Sequence, residues 1–338
     1  MKNSPSHRLC LHILALTTLA LLTTRVSAII VDGTLDAEYG PAIAVQTVQT
    51  QFGDANPPGS LGGSELAAAY ARVSNGRLYL MFTGNHEPNF NKFEIFIDSK
   101  PGGENTLSGT PQYDFFNGSA WVSQNLVGLT FDAGFNADYH LFSRWGGGNT
   151  PYSADFINRQ GGGSAMVTGS AGSTPSAVGL IASGSILAGS LGPNASGSAL
   201  SQNLVFAIND NNNAGVTGGT AAANMAAALA VMTGMEFSIS LADLGNPTPG
   251  STILIAAMIN NGDHNYLSNQ ILGGLPAPQG NLGGDGSGGF TGNLAGVNFN
   301  QFLGPQYFSV VVPEPSSLAL VGLALAGFAV FKIRRQAR

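Results

Sequence analysis

Tyr70-Ala71-Arg72-Val73-Ser74-Asn75-Gly76-Arg77-Leu78-Tyr79-Leu80-Met81-Phe82 is the stretch from which the fold is read. Asn-Gly accepts positive φ at both central turn positions, and the twist of the resulting type I′ turn matches two antiparallel strands. The apolar and β-branched or aromatic residues on either side therefore predict a hairpin. Downstream, Lys92 to Asp98 places Phe93, Ile95 and Ile97 on one face and Glu94 and Phe96 on the other, the alternation of a strand. Further strands are predicted at Ala120–Gln124, Leu126–Phe131, Tyr139–Arg144, Leu204–Asn209, Glu236–Leu241, Ile253–Asn260 and Gln306–Val312. Short strands at this density, punctuated by Gly, Asn and Pro, predict a mainly β chain: an antiparallel β-sandwich with long glycine-rich loops.

Two segments depart from that pattern. Thr220 to Met232 is Ala-rich and lacks Gly and Pro, which predicts one short helix capped by Thr220 and ended near Gly234. Residues 160–209 carry no charged side chain. Their Gly/Ser/Ala bias fits a flexible linker, whereas Val178 to Ile181 and Ser185 to Leu191 fit weak strands in a folded insertion. Gly273 to Gly296 reads as a long surface loop.

The chain has 338 residues, of which 43% are hydrophobic, 9% charged and 47 are glycine. A typical soluble domain carries about 25% charged residues. That deficit argues against a nucleic-acid binder, a coiled coil or a charge-rich disordered chain. The length is sufficient for a sizeable core without metal or disulfide staples.

Both ends read as addresses. Lys2, His7 and Arg8 precede an apolar stretch from Leu9 to Leu22, and Val26-Ser27-Ala28 supplies small residues. This is the layout of a secretory signal peptide over residues 1–28, cut by a signal peptidase. Cys10 lies inside it, so the exported body, residues 29–311, has no cysteine. At the other end, residues 312–338 hold Val312-Pro313-Glu314-Pro315-Ser316, an apolar run from Leu318 to Phe331, and the basic Lys332, Arg334, Arg335 and Arg338. Fourteen helical residues span ~21 Å, short of the ~30 Å of a hydrocarbon core. The run reads as a short transmembrane helix whose basic end stays cytoplasmic, leaving the body outside. Between Ile29 and Pro315 there are six Lys and Arg against 19 Asp and Glu, a formal charge of −13. Such a surface repels nucleic acid and anionic lipid.

The three-part tail resembles the PEP-CTERM sorting signal of Gram-negative bacteria. In that resemblance Pro313, Glu314 and Pro315 are the motif recognised by an exosortase-type transpeptidase. It implies cleavage near the motif and delivery to the cell envelope, outer surface or extracellular matrix, with the C-terminal helix anchoring the protein in the membrane until or unless it is cut. A plain tail anchor is the other reading of the run.

The body has a second, scattered resemblance. Asp32-Gly33-Thr34-Leu35-Asp36-Ala37-Glu38-Tyr39-Gly40 is similar to the opening of family-9-type carbohydrate-binding modules and related sandwich domains. Gly76–Phe82, Glu94–Asp98 and Glu236–Leu244 are similar to their later strands, with Ser240 where those modules commonly have Pro. The resemblance implies a β-sandwich and, through it, contact with polysaccharide.

Local catalytic signatures are sparse. Gly284-Asp285-Gly286-Ser287-Gly288-Gly289 matches G-x-G-x-x-G but has no strand before it and no helix after it, so it is not read as a dinucleotide site. His86, His140 and His264 are the histidines outside the leader, and none has a partner at zinc spacing. A Ser-His-Asp set assembled in space stays open. No cofactor is expected, and calcium is the metal that an acidic exported body would favour. The candidate ligands are Asn209-Asp210-Asn211-Asn212-Asn213-Ala214-Gly215, the pair Asp132 and Asp138, and the pair Asp98 and Glu104; Asx-turns and caps are the other role for each. Trp145, beside Gly146 to Gly148, and nearby Tyr152 are the candidate sugar-stacking aromatics, although large rings are commonly core. The expectation is a non-enzymatic structural or adhesive component of an exopolysaccharide layer. A dedicated carbohydrate-binding module and an extracellular hydrolase are the alternatives.

Overall fold

The Asn75-Gly76 turn closes the hairpin that the sequence predicts: Asn75 has φ 51° and Gly76 φ 72°. In the computed structural model, which describes residues 28–52, 63–146, 152–160, 164–167, 181–189, 199–212 and 214–314, this hairpin joins β2 (Glu65–Ser74) to β3 (Arg77–Asn85). Around it β1 (Ala44–Val45), β8 (Ile181–Ile186), β9 (Leu204–Asn209) and β10 (Gly234–Ser240) complete a six-stranded sheet in the order β1-β2-β3-β10-β9-β8. The second sheet follows the order β12-β11-β4-β5-β6-β7. Its strands are β4 (Lys92–Asp98), β5 (Tyr139–Arg144), β6 (Ser153–Asn158), β7 (Ser164–Val167), β11 (Thr252–Asn260) and β12 (Leu267–Leu272). The last strand, β13 (Phe308–Val311), pairs with the first half of β11, from Thr252 to Ile255. Every strand pairing is antiparallel.

Two hydrophobic layers result, one on each side of the second sheet. Phe93, Ile95, Ile97, Leu141 and Phe156 point inward and meet Leu78, Leu80, Phe82, Phe206, Phe237 and Ile239 of the first sheet. This is the sandwich core. The opposite face of the same strands, with Phe96, Phe142, Ile157, Ala256 and Met258, is covered by Leu107, Tyr113, Leu126, Leu129, Phe131, Leu275, Leu282 and Val297. Those side chains come from the connection between β4 and β5 and from the chain after β12. The glycine-rich stretch from Gly273 to Gly296 is therefore more than a surface loop, since it supplies Leu275, Leu282 and Leu294 to a second core.

Several local expectations are corrected. Ala120–Gln124 and Leu126–Phe131 are not strands; Val122–Leu126 is a 3-10 turn. Val122, Leu126, Leu129 and Phe131 are all buried, and their irregular spacing serves a wrapped segment better than a pleated one. The helix is only α1, Met225–Leu229, capped by Asn224, whose side chain accepts from the Ala226 and Ala227 N–H groups. Thr220 does not cap it because the backbone of Ala221 and Ala223 is hydrogen-bonded to Gln49 and Thr47. Within the low-charge tract, Ser164–Val167 and Ile181–Ile186 are strands β7 and β8; the rest of that tract beyond Gln160, up to Ala199, lies largely outside the described residues. The expected signal peptide up to residue 27 and the apolar tail also lie outside them. Among the described residues no helix is long and apolar enough to cross a membrane.

The first part of the described chain is fastened by a single carboxylate. Asp32 and Gly33 N–H groups each donate to Glu236 Oε2 at 2.9 Å, and the Tyr39 hydroxyl donates to Oε1 at 2.8 Å. Gly33 has φ 78°, and a Cβ there would lie 2.5 Å from the Asn209 nitrogen, so the close approach needs glycine. Burial pushes the Glu236 carboxyl up to about 7. The Asp-Gly and Tyr positions of the carbohydrate-module resemblance thus act as a latch between the chain start and β10. Tyr39→Phe removes one donor from a buried carboxylate and is expected to cost ~1.5–3 kcal/mol, read by chemical denaturation with unchanged far-UV dichroism.

Candidate functional site

The alternation that points Glu94 away from the sandwich core does not carry it to water. Glu94 is fully buried beneath the second layer. Its Oε2 meets His140 Nε2 at 2.6 Å and its Oε1 meets His264 Nδ1 at 2.5 Å. His140 Nδ1 lies 2.7 Å from the Tyr113 hydroxyl, which accepts from Arg159 at 2.9 Å. Arg159 also donates to Glu104 through its Nε, at 2.7 Å. On the other side His264 Nε2 lies 3.3 Å from Asp114 Oδ2, which accepts from Lys92 Nζ at 2.8 Å. Arg144 lies between Asp114 and Asp155, on adjacent β6, and pairs with both.

Four carboxyl groups thus face Lys92, Arg144, Arg159 and His264. Three of the six Lys and Arg residues of the body are consumed in this network. The electrostatics are consistent along its length. Burial would raise Glu94, but His264 and His140 outweigh it and hold the carboxyl below the usual range. Burial would likewise raise Asp114, and His264, Arg144 and Lys92 overcome it. His264 is raised because Glu94 and Asp114 outweigh its own burial. His140 is pushed by burial down to about 4. His264 is therefore the charged ring and His140 the neutral one, with Nε2–H donating to Glu94 and Nδ1 accepting from Tyr113.

The sequence signals for this cluster were weak. Glu94 was visible as the polar face of a strand, but His140, His264, Asp114 and Arg159 are distant in the chain. Among the described residues no histidine ring nitrogen bonds a serine hydroxyl; His86 Nε2 bonds the Asn91 carbonyl at 2.8 Å.

The aromatic candidates occupy other places. Trp145 is 1% exposed and Tyr152 0%. The Trp145 indole donates to the His86 carbonyl, and Tyr152 donates to Ser143 Oγ at 2.7 Å. Rings sealed on both faces have no surface on which a sugar could stack, so the expected contact through Trp145 and Tyr152 is corrected: they are core, edge to face at 6.1 Å. Exposed aromatics are found instead on a tight turn, where Phe115 and Phe116 are about half exposed and Phe116 packs 5.7 Å from Trp121.

The acidic candidates are engaged with backbone. Asp98 Oδ2 accepts from Asn136 N–H, and Asp138 Oδ2 accepts from Ser99 and Lys100 N–H. Asp132 accepts from Gln306 N–H, and Glu104 pairs with Arg159. Asp210 Oδ1 accepts from His86 N–H, and burial pushes its carboxyl up to about 7. Asp98 and Asp138 are brought near enough to repel each other, whereas Asp132 has gone to a different partner. Among the described residues no three His, Cys, Asp or Glu side chains gather as a metal-binding set.

The tail motif begins where the fold ends. Phe308, Val310 and Val312 enter the sandwich core, while Ser309 and Val311 face outward. Val312 N–H donates to the Ser251 carbonyl and its own carbonyl accepts from Gly250 N–H, both at 2.9 Å. Pro313 and Glu314 follow immediately and are exposed; Pro315 lies outside the described residues. The family model of the PEP-CTERM protein-sorting motif matches residues 311–335, so the match starts inside β13. No curated protein and no solved structure matches the chain.

The network generates a stability prediction. Asp114→Asn leaves Lys92 and His264 buried with one countercharge fewer, and is expected to cost ~3–5 kcal/mol in denaturant unfolding.

Proposed function

We propose that the protein is a non-enzymatic component of the bacterial envelope or extracellular matrix, with a structural or adhesive role in an exopolysaccharide layer. Its PEP-CTERM motif marks it as an exported protein processed by an exosortase. The body's role is supported by one contrast. The groups capable of acid–base chemistry, Glu94, Asp114, His140 and His264, are sealed and spend their charges and hydrogen bonds on one another. The sorting motif, in comparison, leaves the fold exposed at Pro313 and Glu314. Buried charge of this kind is retained for structural specificity as well as for chemistry.

Sorting is tested at the mature C-terminus. Mass spectrometry of surface-released protein is expected to find a chain that ends beyond Val312 and lacks Arg338. An intact Arg338 on released protein would overturn the processing step.

A second reading has its own observation. Phe115 and Phe116 form an exposed aromatic corner backed by the half-buried Trp121, with Lys92 Nζ 5.8 Å from the Phe115 ring centre. Apolar C–H faces of pyranose rings stack on such surfaces, which would make the body a carbohydrate-binding module. On a glycan array, binding that is lost in Phe116→Ala and retained in Tyr152→Phe favours the module. Absence of any bound glycan favours scaffolding.

A further inference from the structure

The geometry points to a docking seam on the body for the sorting enzyme itself. The inference rests on the processing reading above and extends it from the tail to the folded domain. Between the free edge of β13 and the second half of β2 runs a groove of about 330 Å³, lined by Tyr39, Arg72, Val73, Ser309, Val311 and Pro313. It lies where the two sheets part. Among the described residues β1 pairs with β2 only at Ala68 and Ala69, so the stretch beyond has no strand on that side, and β13 pairs with β11 alone. Val311 is 61% exposed on the rim.

Pro313 belongs to both the groove and the motif, so the two surfaces are continuous. An enzyme closing on Pro313-Glu314-Pro315 finds no loose chain upstream, because Val312 is buried and held by two backbone hydrogen bonds. Downstream, five residues separate Val312 from the apolar run at Leu318, a reach of at most ~18 Å. The enzyme therefore meets the body at the seam whenever it meets the motif. Unpaired edges of β13 and β2 with an apolar rim suit an extended segment of that enzyme, bound by strand addition.

The test measures the rate of tail cleavage in cells that carry the sorting enzyme. Ser309→Glu with Val311→Asp alters only outward-facing positions, where substitutions change stability by about 0.5 kcal/mol or less. Cleavage is expected to slow about tenfold with an unchanged melting temperature. In a second chain, a Gly/Ser spacer of roughly ten residues between Val312 and Pro313 moves the motif away by about 17 Å, and cleavage should slow similarly. A spacer chain cut as fast as wild type, or faster, overturns the proposal, as does an unaffected double variant. If the purified chain is a dimer that the double variant dissolves, the seam belongs to a second copy and the proposal also falls. A wild-type chain that is never cut removes the processing reading itself, and is recognised before any variant is compared.

Discussion

The buried charge network on the outer face of the second sheet is the constraint on which the rest of this structure depends. Glu94, Lys92 and Arg144 sit on β4 and β5 at positions that alternation points away from the sandwich core. Left in water they would be ordinary surface charges worth little. Here Tyr113, Asp114, His264 and the segments that carry them close over the sheet. A buried charge without its partner costs several kcal/mol. The covering segments must therefore seat in one arrangement, and their apolar residues then form the second hydrophobic layer. A sandwich that would need two layers becomes a body of three.

This arrangement also explains the charge economy. With six Lys and Arg in the exported body, engaging Lys92, Arg144 and Arg159 in the network leaves Arg72, Arg77 and Lys100 as its remaining cations. Arg72 and Arg77 are themselves engaged with Glu38, Ser238 and Asn203. Among the described residues the acidic groups Asp36, Asp263 and Asp285 form no ion pair. The outward field is accordingly negative.

The two ends of the body are fixed by opposite means. At the start, Glu236 gathers three donors from Asp32, Gly33 and Tyr39. At the finish, β13 lies in the sheet and delivers the sorting motif without a spacer. The first makes a scattered sequence resemblance intelligible as a structural latch. The second makes the fold part of the context in which the tail is read.

Read by itself, the sequence determined the elements whose signals are local: the Asn75-Gly76 hairpin, the alternation of β4, the strands at Tyr139, Leu204 and Ile253, and the PEP-CTERM sorting motif. Each depends on backbone preference or on residues within a few positions of one another. The tertiary structure decided what lies beyond that range. It buried Trp145 and Tyr152, replaced two expected strands around Val122 by a wrapped turn, and shortened the helix to Met225–Leu229 because Ala221 and Ala223 bond elsewhere. It also turned Glu94 from a surface residue into the centre of a network joined to His264, 170 positions away. Alternation says which side of a strand a residue faces; only the folded chain says whether that side is met by water or by another layer of protein.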